Sequence, residues 1–167
     1  ASVPLPPPPP PAELDDDEAE IRDIFLEEAR EVVQNAQAAV QALVEAPGDL
    51  GHQTTLRRAF HTLKGSSRMV GLTEFGEAGW AMEQLLNAWL AEQKPASQDL
   101  IDLSGKAIAG LEAWVQDIAE RTDSHWSAQP FRQAADALRL RGERLALVYP
   151  GSPAEAEALV EEPVVLA

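Results

Sequence analysis

The sequence predicts an all-α protein: an antiparallel up-down four-helix bundle with a C-terminal extra helix and disordered acidic or proline-rich ends. Apolar residues recur every three or four positions through the middle of the chain, and the strict alternation typical of β-strands is scarce. Short connections between the helical segments favour antiparallel neighbours. Pro, Ala and acidic residues dominate both ends, which therefore bury too little apolar surface to offset the entropy of ordering.

These composition shifts divide the chain into four parts. We expect a proline-rich acidic linker over 1–19, the four-helix bundle over 20–122, an extra helical segment over 123–149 and an acidic linker over 150–167. The proline run at 6–11 is expected to be an extended, semi-rigid spacer. A start without methionine, close to this run, indicates an excised piece of a longer protein.

Helix bounds follow from capping residues and helix breakers. Gly71 is a natural C-terminal cap for the second helix. Thr73 and Ser97 are expected to cap the N-termini of the third and fourth helices. The expected helices span about 20–45 and 50–71, Thr73 to just before Pro95, Ser97 onward and, more weakly, 127–147.

Helical spacing also selects the residues that face the core. On this criterion the expected core consists of Ile21, Phe25, Val32, Ala36, Ala39, Leu43, Leu56, Phe60, Leu63, Val70, Phe75, Met82, Leu86, Trp89, Leu100, Leu103, Ala107, Leu111, Trp114 and Ile118.

Charge and composition exclude several classes of function. The formal net charge is −15, which argues against nucleic acid or an anionic membrane surface as a partner. No apolar run approaches the roughly 20 residues that a membrane span needs, and no signal peptide is visible. The absence of cysteine excludes disulfides and fits a reducing compartment, so we expect a cytoplasmic protein. The bundle is large enough to be monomeric.

A local positive strip surrounds His61. Residues 50–73 contain four bases and no acid, in a chain that is otherwise strongly acidic. Positions three or four apart on a helix share a face, so these bases cluster around the imidazole. Such a strip suits a phosphoryl group or an acidic partner pocket. The four bases are Arg57, Arg58, Lys64 and Arg68.

Gly65 lies one turn after His61 and costs the helix about 0.5–1 kcal/mol relative to alanine. Space for a large approaching group would explain that cost, and close helix packing is the alternative explanation. Neither His52 nor His125 has a carboxylate or histidine at metal-ligand spacing, so no metal site is expected.

Glu83 is the expected partner of His61. In an antiparallel hairpin that turns near Leu72, the two residues lie at the same height. A carboxylate that accepts from one ring nitrogen leaves the other nitrogen with a free lone pair, which makes it a nucleophile. The alternative is that Glu83 belongs to a solvated helix face.

No phosphate-binding P-loop and no kinase-type glycine loop occurs in the chain. We therefore expect no bound cofactor and no enzyme activity of the chain by itself. ATP and Mg²⁺ would be supplied by partner domains, because an acceptor needs only a nucleophile and surrounding positive charge.

The segment FHTLKGSSRMVG resembles the phosphorylation motif of histidine phosphotransfer (HPt) domains, HxLKG with a second glycine six residues later. The continuation, with Glu83 22 residues after His61 in a helix reading MExLL, is similar to the phosphoacceptor domain of CheA-type chemotaxis histidine kinases. The resemblance covers roughly 20–122. The long flanking segments are similar to parts of multi-domain hybrid kinases that control pilus-based motility.

The resemblance implies a role for each matching residue. His61 would be phosphorylated, Glu83 would orient it, Lys64 would contact the phosphate and Gly65 would provide clearance. His61 would accept the phosphoryl group from a histidine kinase catalytic domain and pass it to an aspartate of a response-regulator receiver domain. The chain would be a fragment of a sensor histidine kinase, with Arg57, Arg58 and Arg68 contacting partners.

The match has departures and leaves two alternatives. The long flanking linkers and the fifth segment go beyond a minimal domain of this family. Trp80 stands where several chemotaxis relatives have a second histidine, a change expected to alter transfer rate or regulator choice. The first alternative function is a degenerate helical-bundle adaptor that is not phosphorylated. The second, a hydrolase or metal enzyme using His61, lacks ligand spacing and a second catalytic base.

Overall fold

The protein is described by a computed structural model over residues 16–160, and within this range it forms six helices and no strand. The ends at 1–15 and 161–167, including the proline run, lie outside the described residues. The helices are α1 (Asp16–Glu45), α2 (Leu50–Met69), α3 (Thr73–Ala91), α4 (Gln98–Glu120), α5 (Gln129–Arg141) and α6 (Pro153–Val160).

The first four helices form the expected bundle. Helix α1 packs against α2 and α4, α2 packs against α3, and α3 closes the ring against α4. Helix α5 packs against α3 and also contacts α4, so the C-terminal extra helix lies on the side of the bundle away from α1 and α2. The predicted fold class is confirmed. Over residues 16–160, no helix is both long and apolar enough to cross a membrane.

Aromatic residues connect three helices in the core. The ring of Phe75 in α3 meets Phe25 of α1 edge to face, with centroids 5.8 Å apart. It meets Trp114 of α4 in the same manner, at 5.2 Å. Such edge-to-face pairs contribute about 0.5–1.5 kcal/mol each beyond the burial of their area. They fix α3, which carries Glu83, against the rest of the bundle.

Most residues of the expected core are buried, but four differ. Val32, Val70 and Trp89 are only partly buried. Ile21 was predicted to face the core, and this is wrong, because its side chain is exposed. Helix α2 ends at Met69, so this first part of α1 borders an open cleft lined by Met69 and Val70 instead of a packed helix.

Two of the three predicted helix caps are confirmed, and one is wrong. Ser97 caps α4, its hydroxyl accepting from the Leu100 amide at 3.1 Å. Gly71 follows α2 with φ 77°, and the Leu72 amide donates to the Ser67 carbonyl at 2.9 Å, as in a Schellman motif. The prediction that Thr73 caps α3 is wrong. Leu72, held by that bond, is the N-cap without a side-chain hydrogen bond, and Thr73 is the first residue of the helix.

The C-terminal part differs from the expectation in two respects. The extra helix ends at Arg141, not near 147, because Gly142 takes a left-handed conformation with φ 66°. Helix α6 lies inside the segment expected to be linker. Ser152 explains it: its hydroxyl accepts from the Glu155 amide at 3.0 Å and caps the first turn, which Pro153 begins.

The first linker boundary also shifts. Helix α1 begins at Asp16 instead of residue 20, so the last part of the expected linker 1–19 is helical. Asp16, Asp17 and Glu18 occupy the first turn. Carboxylates there interact favourably with the unpaired amides of a helix N-terminus, which explains the earlier start.

Candidate functional site

Two glycines bring α2 and α3 into unusually close contact. A Cβ atom at Gly79 would lie 3.2 Å from the Phe60 carbonyl oxygen and 3.4 Å from the Lys64 amide nitrogen. One turn earlier, a Cβ atom at Gly76 would lie 3.0 Å from the Ser67 hydroxyl. The absence of side chains at these two positions therefore lets the backbone of α3 lie directly on α2, beside the turn that carries His61.

His61 and Glu83 face each other across this contact. His61 Nδ1 lies 2.7 Å from Glu83 Oε1, and Lys64 Nζ lies 2.7 Å from Oε2 of the same carboxylate. The three side chains differ sharply in exposure: His61 is 60% exposed, Lys64 16% and Glu83 7%. The carboxylate is thus buried between two partners, while the imidazole reaches solvent.

The environment of Glu83 sets its charge. Burial by itself raises the pKa of this carboxyl, but the hydrogen bonds and positive charges of Lys64 and His61 outweigh burial and hold the pKa below its ordinary value of 4.5. Glu83 is therefore ionised at neutral pH and can only accept hydrogen bonds.

The charge of Glu83 determines the tautomer of the neutral ring. Since an ionised carboxylate only accepts, the proton between the two residues belongs to Nδ1 of His61. The neutral ring then has its lone pair on Nε2, the nitrogen turned away from Glu83. An exposed imidazole held in this tautomer is a nucleophile whose developing positive charge is stabilised by the buried carboxylate.

The four bases of the positive strip do not act as one group. Arg57 Nη1 lies 4.0 Å from Glu83 Oε1, next to His61. Arg58 lines a groove between α1 and α2, with Val32 and Asn35 on the opposite wall. Arg68 lies further along α2, with its guanidinium 3.7 Å from Glu77. The structure therefore brings Arg57 and Lys64 to the His61 site and directs Arg58 and Arg68 to its surroundings.

The surface at Gly65, one turn after His61, is open. A Cβ atom at Gly65 would have no neighbour within 4 Å, so close packing between helices does not explain this glycine. The space above Gly65 is available to an approaching molecule. Trp80, one turn before Glu83 on α3, is exposed to 39%.

Sequence reasoning missed Gly76 and Gly79 as residues that build the site. The available signal was two glycines three positions apart in a helix, on the same face and shortly before Glu83. Glycine costs a helix stability, so a pair on one face indicates close approach of a second backbone. That signal was as strong as the one used for Gly65.

The described residues offer no metal site. Among residues 16–160, no group of three or more His, Cys, Asp or Glu side chains is arranged to hold an ion. His52 lies 3.5 Å from Asp49, three residues earlier, so the expectation that no carboxylate lies at helical spacing from His52 is wrong. His125 lies 4.0 Å from Asp117.

Comparison with known proteins agrees with this geometry. The family model of the Hpt domain matches residues 20–121. The chain is 27% identical over 136 residues to the chemotaxis protein CheA of Bacillus subtilis (strain 168), and the match covers 81% of this chain but only 20% of that protein. The chain thus spans about a fifth of the length of this relative.

A solved structure has a similar fold. It is the phosphorylated P1 domain of CheA3 in complex with CheY6 from R. sphaeroides, with a TM-score of 0.66 at 21% sequence identity, covering 74% of this chain and 98% of that one. At this identity the likeness concerns the fold. The family match spans the four-helix bundle and includes His61, Lys64 and Glu83, and on this basis the chain belongs to the Hpt domain family.

Proposed function

We propose that this chain is a phosphoryl carrier in a phosphorelay of the chemotaxis type and that His61 carries the group on Nε2. The observation that supports this most directly is the buried Glu83 carboxylate 2.7 Å from Nδ1 of an otherwise exposed imidazole. A purely structural role for His61 would not require an exposed ring or a tautomer that keeps a lone pair on its outward nitrogen.

The transfer consists of two displacements. In the first, the Nε2 lone pair attacks the γ-phosphorus of ATP held by a histidine kinase catalytic domain. The Nε2–P bond forms as the bond to the bridging oxygen breaks, and ADP leaves with that electron pair. In the second, an aspartate oxygen of a receiver domain attacks phosphorus, and the Nε2–P electron pair returns to the ring.

The residues of the chain supply orientation and charge, which are the main requirements of phosphoryl transfer. Glu83 fixes the ring and stabilises the imidazolium that forms during attack. Lys64 neutralises Glu83 and lies beside the ring, in reach of the phosphate contact that the family resemblance assigns to it. The open space at Gly65 admits the partner domain. ATP and Mg²⁺ are supplied by the partner domains.

The setting of the chain follows from the same proposal. Its partners are a histidine kinase catalytic domain and a response-regulator receiver domain, and nucleic acid and membrane are not among them. The chain is part of a longer cytoplasmic sensor histidine kinase and is monomeric as an isolated domain. The small coverage of the CheA relative fits one domain of a larger kinase.

The experiment is phosphorylation of the chain and its His61→Gln variant by an ATP-loaded chemotaxis-type kinase domain or by a phosphorylated receiver domain. We expect an acid-labile, base-stable label in the wild type and none in the variant, with unchanged helical circular dichroism. A variant that is labelled normally would refute the assignment of His61. A folded wild type that no donor labels would favour the adaptor function instead.

A further inference from the structure

The charges at the site leave a phosphoryl group on His61 without a dedicated counter-ion. In the resting structure Lys64 and Glu83 neutralise each other at 2.7 Å. A phosphoryl group adds a charge of about −1.5 to −2 at neutral pH. The carboxylate and the phosphoryl group would then share the single ammonium of Lys64, which is already largely covered against Glu83.

Arg57 is the base best placed to supply the missing charge. It lies one turn before His61 on the same face of α2, and Nη1 is 4.0 Å from Glu83 Oε1, the oxygen that receives the ring proton. This separation exceeds a hydrogen bond, so the guanidinium is close to the site without being tightly bound there. Its side chain is 29% exposed, so part of it is in contact with solvent.

The other two arginines are less suited. Arg58 lines the groove towards α1, next to Val32 and Asn35. Arg68 lies nearly two turns beyond His61, beside Glu77. Only Arg57 combines a position at the ring with a loose contact that a stronger anion can replace.

We propose that Arg57 becomes the dedicated counter-ion of the phosphoryl group on His61, moving from the edge of Glu83 to the phosphoryl oxygens, while the carboxylate and the phosphoryl group share Lys64. This inference rests on the proposed function. A guanidinium binds phosphate oxygens through two parallel N–H donors, whereas an ammonium acts as a point charge. Arg57 thus binds the phosphoryl group in the phosphorylated protein. The distribution of positive charge on the surface that a partner contacts therefore changes when His61 is phosphorylated.

The test uses the whole chain and phosphoramidate, a small donor that needs no kinase. The Nε2–P bond forms as the P–N bond of phosphoramidate breaks. The phosphoramidate nitrogen is already protonated, so ammonia leaves with the P–N electron pair. The phosphohistidine is then titrated by phosphorus NMR in the wild type, Arg57→Gln, Arg57→Lys and the matched control Arg58→Gln. A cation at the phosphoryl oxygens favours their doubly ionised form and so lowers the pH at which they titrate.

For Arg57→Gln we expect the titration midpoint of the phosphoryl group to move up by roughly one pH unit. Arg57→Lys should move it by less, because charge is kept and the planar fork is lost. Arg58→Gln should leave it within error of the wild type. Circular dichroism verifies that each variant is folded.

Two results would overturn the assignment of Arg57 while leaving the proposed function intact. One is an Arg57→Gln phosphohistidine that titrates like the wild type. The other is an equal shift in Arg58→Gln, which would indicate a general effect of net charge. A folded wild type that gives no phosphohistidine signal would instead overturn the proposed function together with this inference.

Discussion

At the scale of single residues, the site depends on one buried carboxylate shared by neighbouring side chains. Glu83 accepts from His61 on one oxygen and faces the Lys64 ammonium with the other. A buried charge that is paired on both oxygens is held in one position, and so is the ring that it contacts. The orientation of His61 therefore depends on a residue that solvent and partner domains hardly reach.

Removal of this carboxylate is expected to slow phosphorylation. For Glu83→Ala we predict a rate of His61 labelling about 10–1000-fold lower, the range typical of groups that orient a reacting side chain. Initial rates with phosphoramidate measure this without a partner domain. Glu77→Ala is the control, since Glu77 lies on the same helix but contacts Arg68. A labelling rate of Glu83→Ala equal to that of the control would mean that Glu83 does not orient the ring.

The lowered pKa of Glu83 predicts a dependence of stability on pH. Because the folded-state pKa lies below the ordinary value of 4.5, the unfolded chain binds the proton more readily. The ionised carboxylate therefore stabilises the fold above about pH 4.5, and this contribution is lost as pH falls through the folded-state pKa. Denaturant unfolding of the wild type and Glu83→Gln should differ most near neutral pH and converge in acid. A difference that stays constant between pH 7 and pH 3 would contradict the ion pair.

At the scale of elements, the α2–α3 hairpin builds the site. Gly71 ends α2 in a left-handed conformation, and the chain reverses so that Glu83 returns to the height of His61. Gly76 and Gly79 then allow the two backbones to touch. This backbone contact between α2 and α3 holds the helix positions of His61 and Glu83 opposite each other.

The glycines of this hairpin should respond to alanine in opposite directions. Gly65→Ala places a methyl group in open space and should raise the unfolding free energy by about 0.5–1 kcal/mol. Gly79→Ala places it 3.2 Å from the Phe60 carbonyl and should lower stability by roughly 1–3 kcal/mol, and it should also slow His61 labelling by separating the helices. Denaturant unfolding tests both, and a Gly79→Ala variant as stable as Gly65→Ala would refute the close contact.

A larger side chain at Gly65 is expected to impair docking of the partner domain without unfolding the protein. Gly65→Leu should remain folded, since the space above this position is open, but should impair transfer to a receiver domain more than labelling by phosphoramidate. A Leu variant that transfers to the receiver at the wild-type rate would refute the proposal that this surface admits the partner.

At the scale of the whole molecule, charge is separated along the chain. The net charge is −15, yet residues 50–73 contain four bases and no acid. The site thus presents a positive surface on an acidic protein, which favours docking of an acidic pocket in one orientation.

This separation predicts that salt slows the association of the chain with a receiver domain. The rate constant, followed by stopped-flow fluorescence, should fall between 50 and 500 mM salt, because exposed charges are screened. Arg68→Gln should weaken the salt dependence without changing labelling by phosphoramidate, since Arg68 lies away from the ring. An association rate independent of salt would exclude electrostatic steering.

The sequence by itself determined the bundle and the pairing of His61 with Glu83. Helical spacing of apolar residues defines four helices, and the hairpin register places Glu83 opposite His61, because both depend only on local periodicity and the position of the turn. Most of the expected core is buried, but Val32, Val70 and Trp89 are only partly buried. Ile21 is exposed because the length of a neighbouring helix decides burial at that end.

Only the tertiary structure decided how the charges are shared. Four bases within one short stretch look equivalent in the sequence. In the structure, Lys64 and Arg57 lie beside Glu83. Arg58 lines the groove beside α1, and Arg68 lies beside Glu77. The role of Gly79 and the helix after Ser152 depend in the same way on contacts between segments. Helical periodicity determines which face of a helix a side chain lies on. The residue that this side chain contacts depends on which residue of the neighbouring helix lies opposite it.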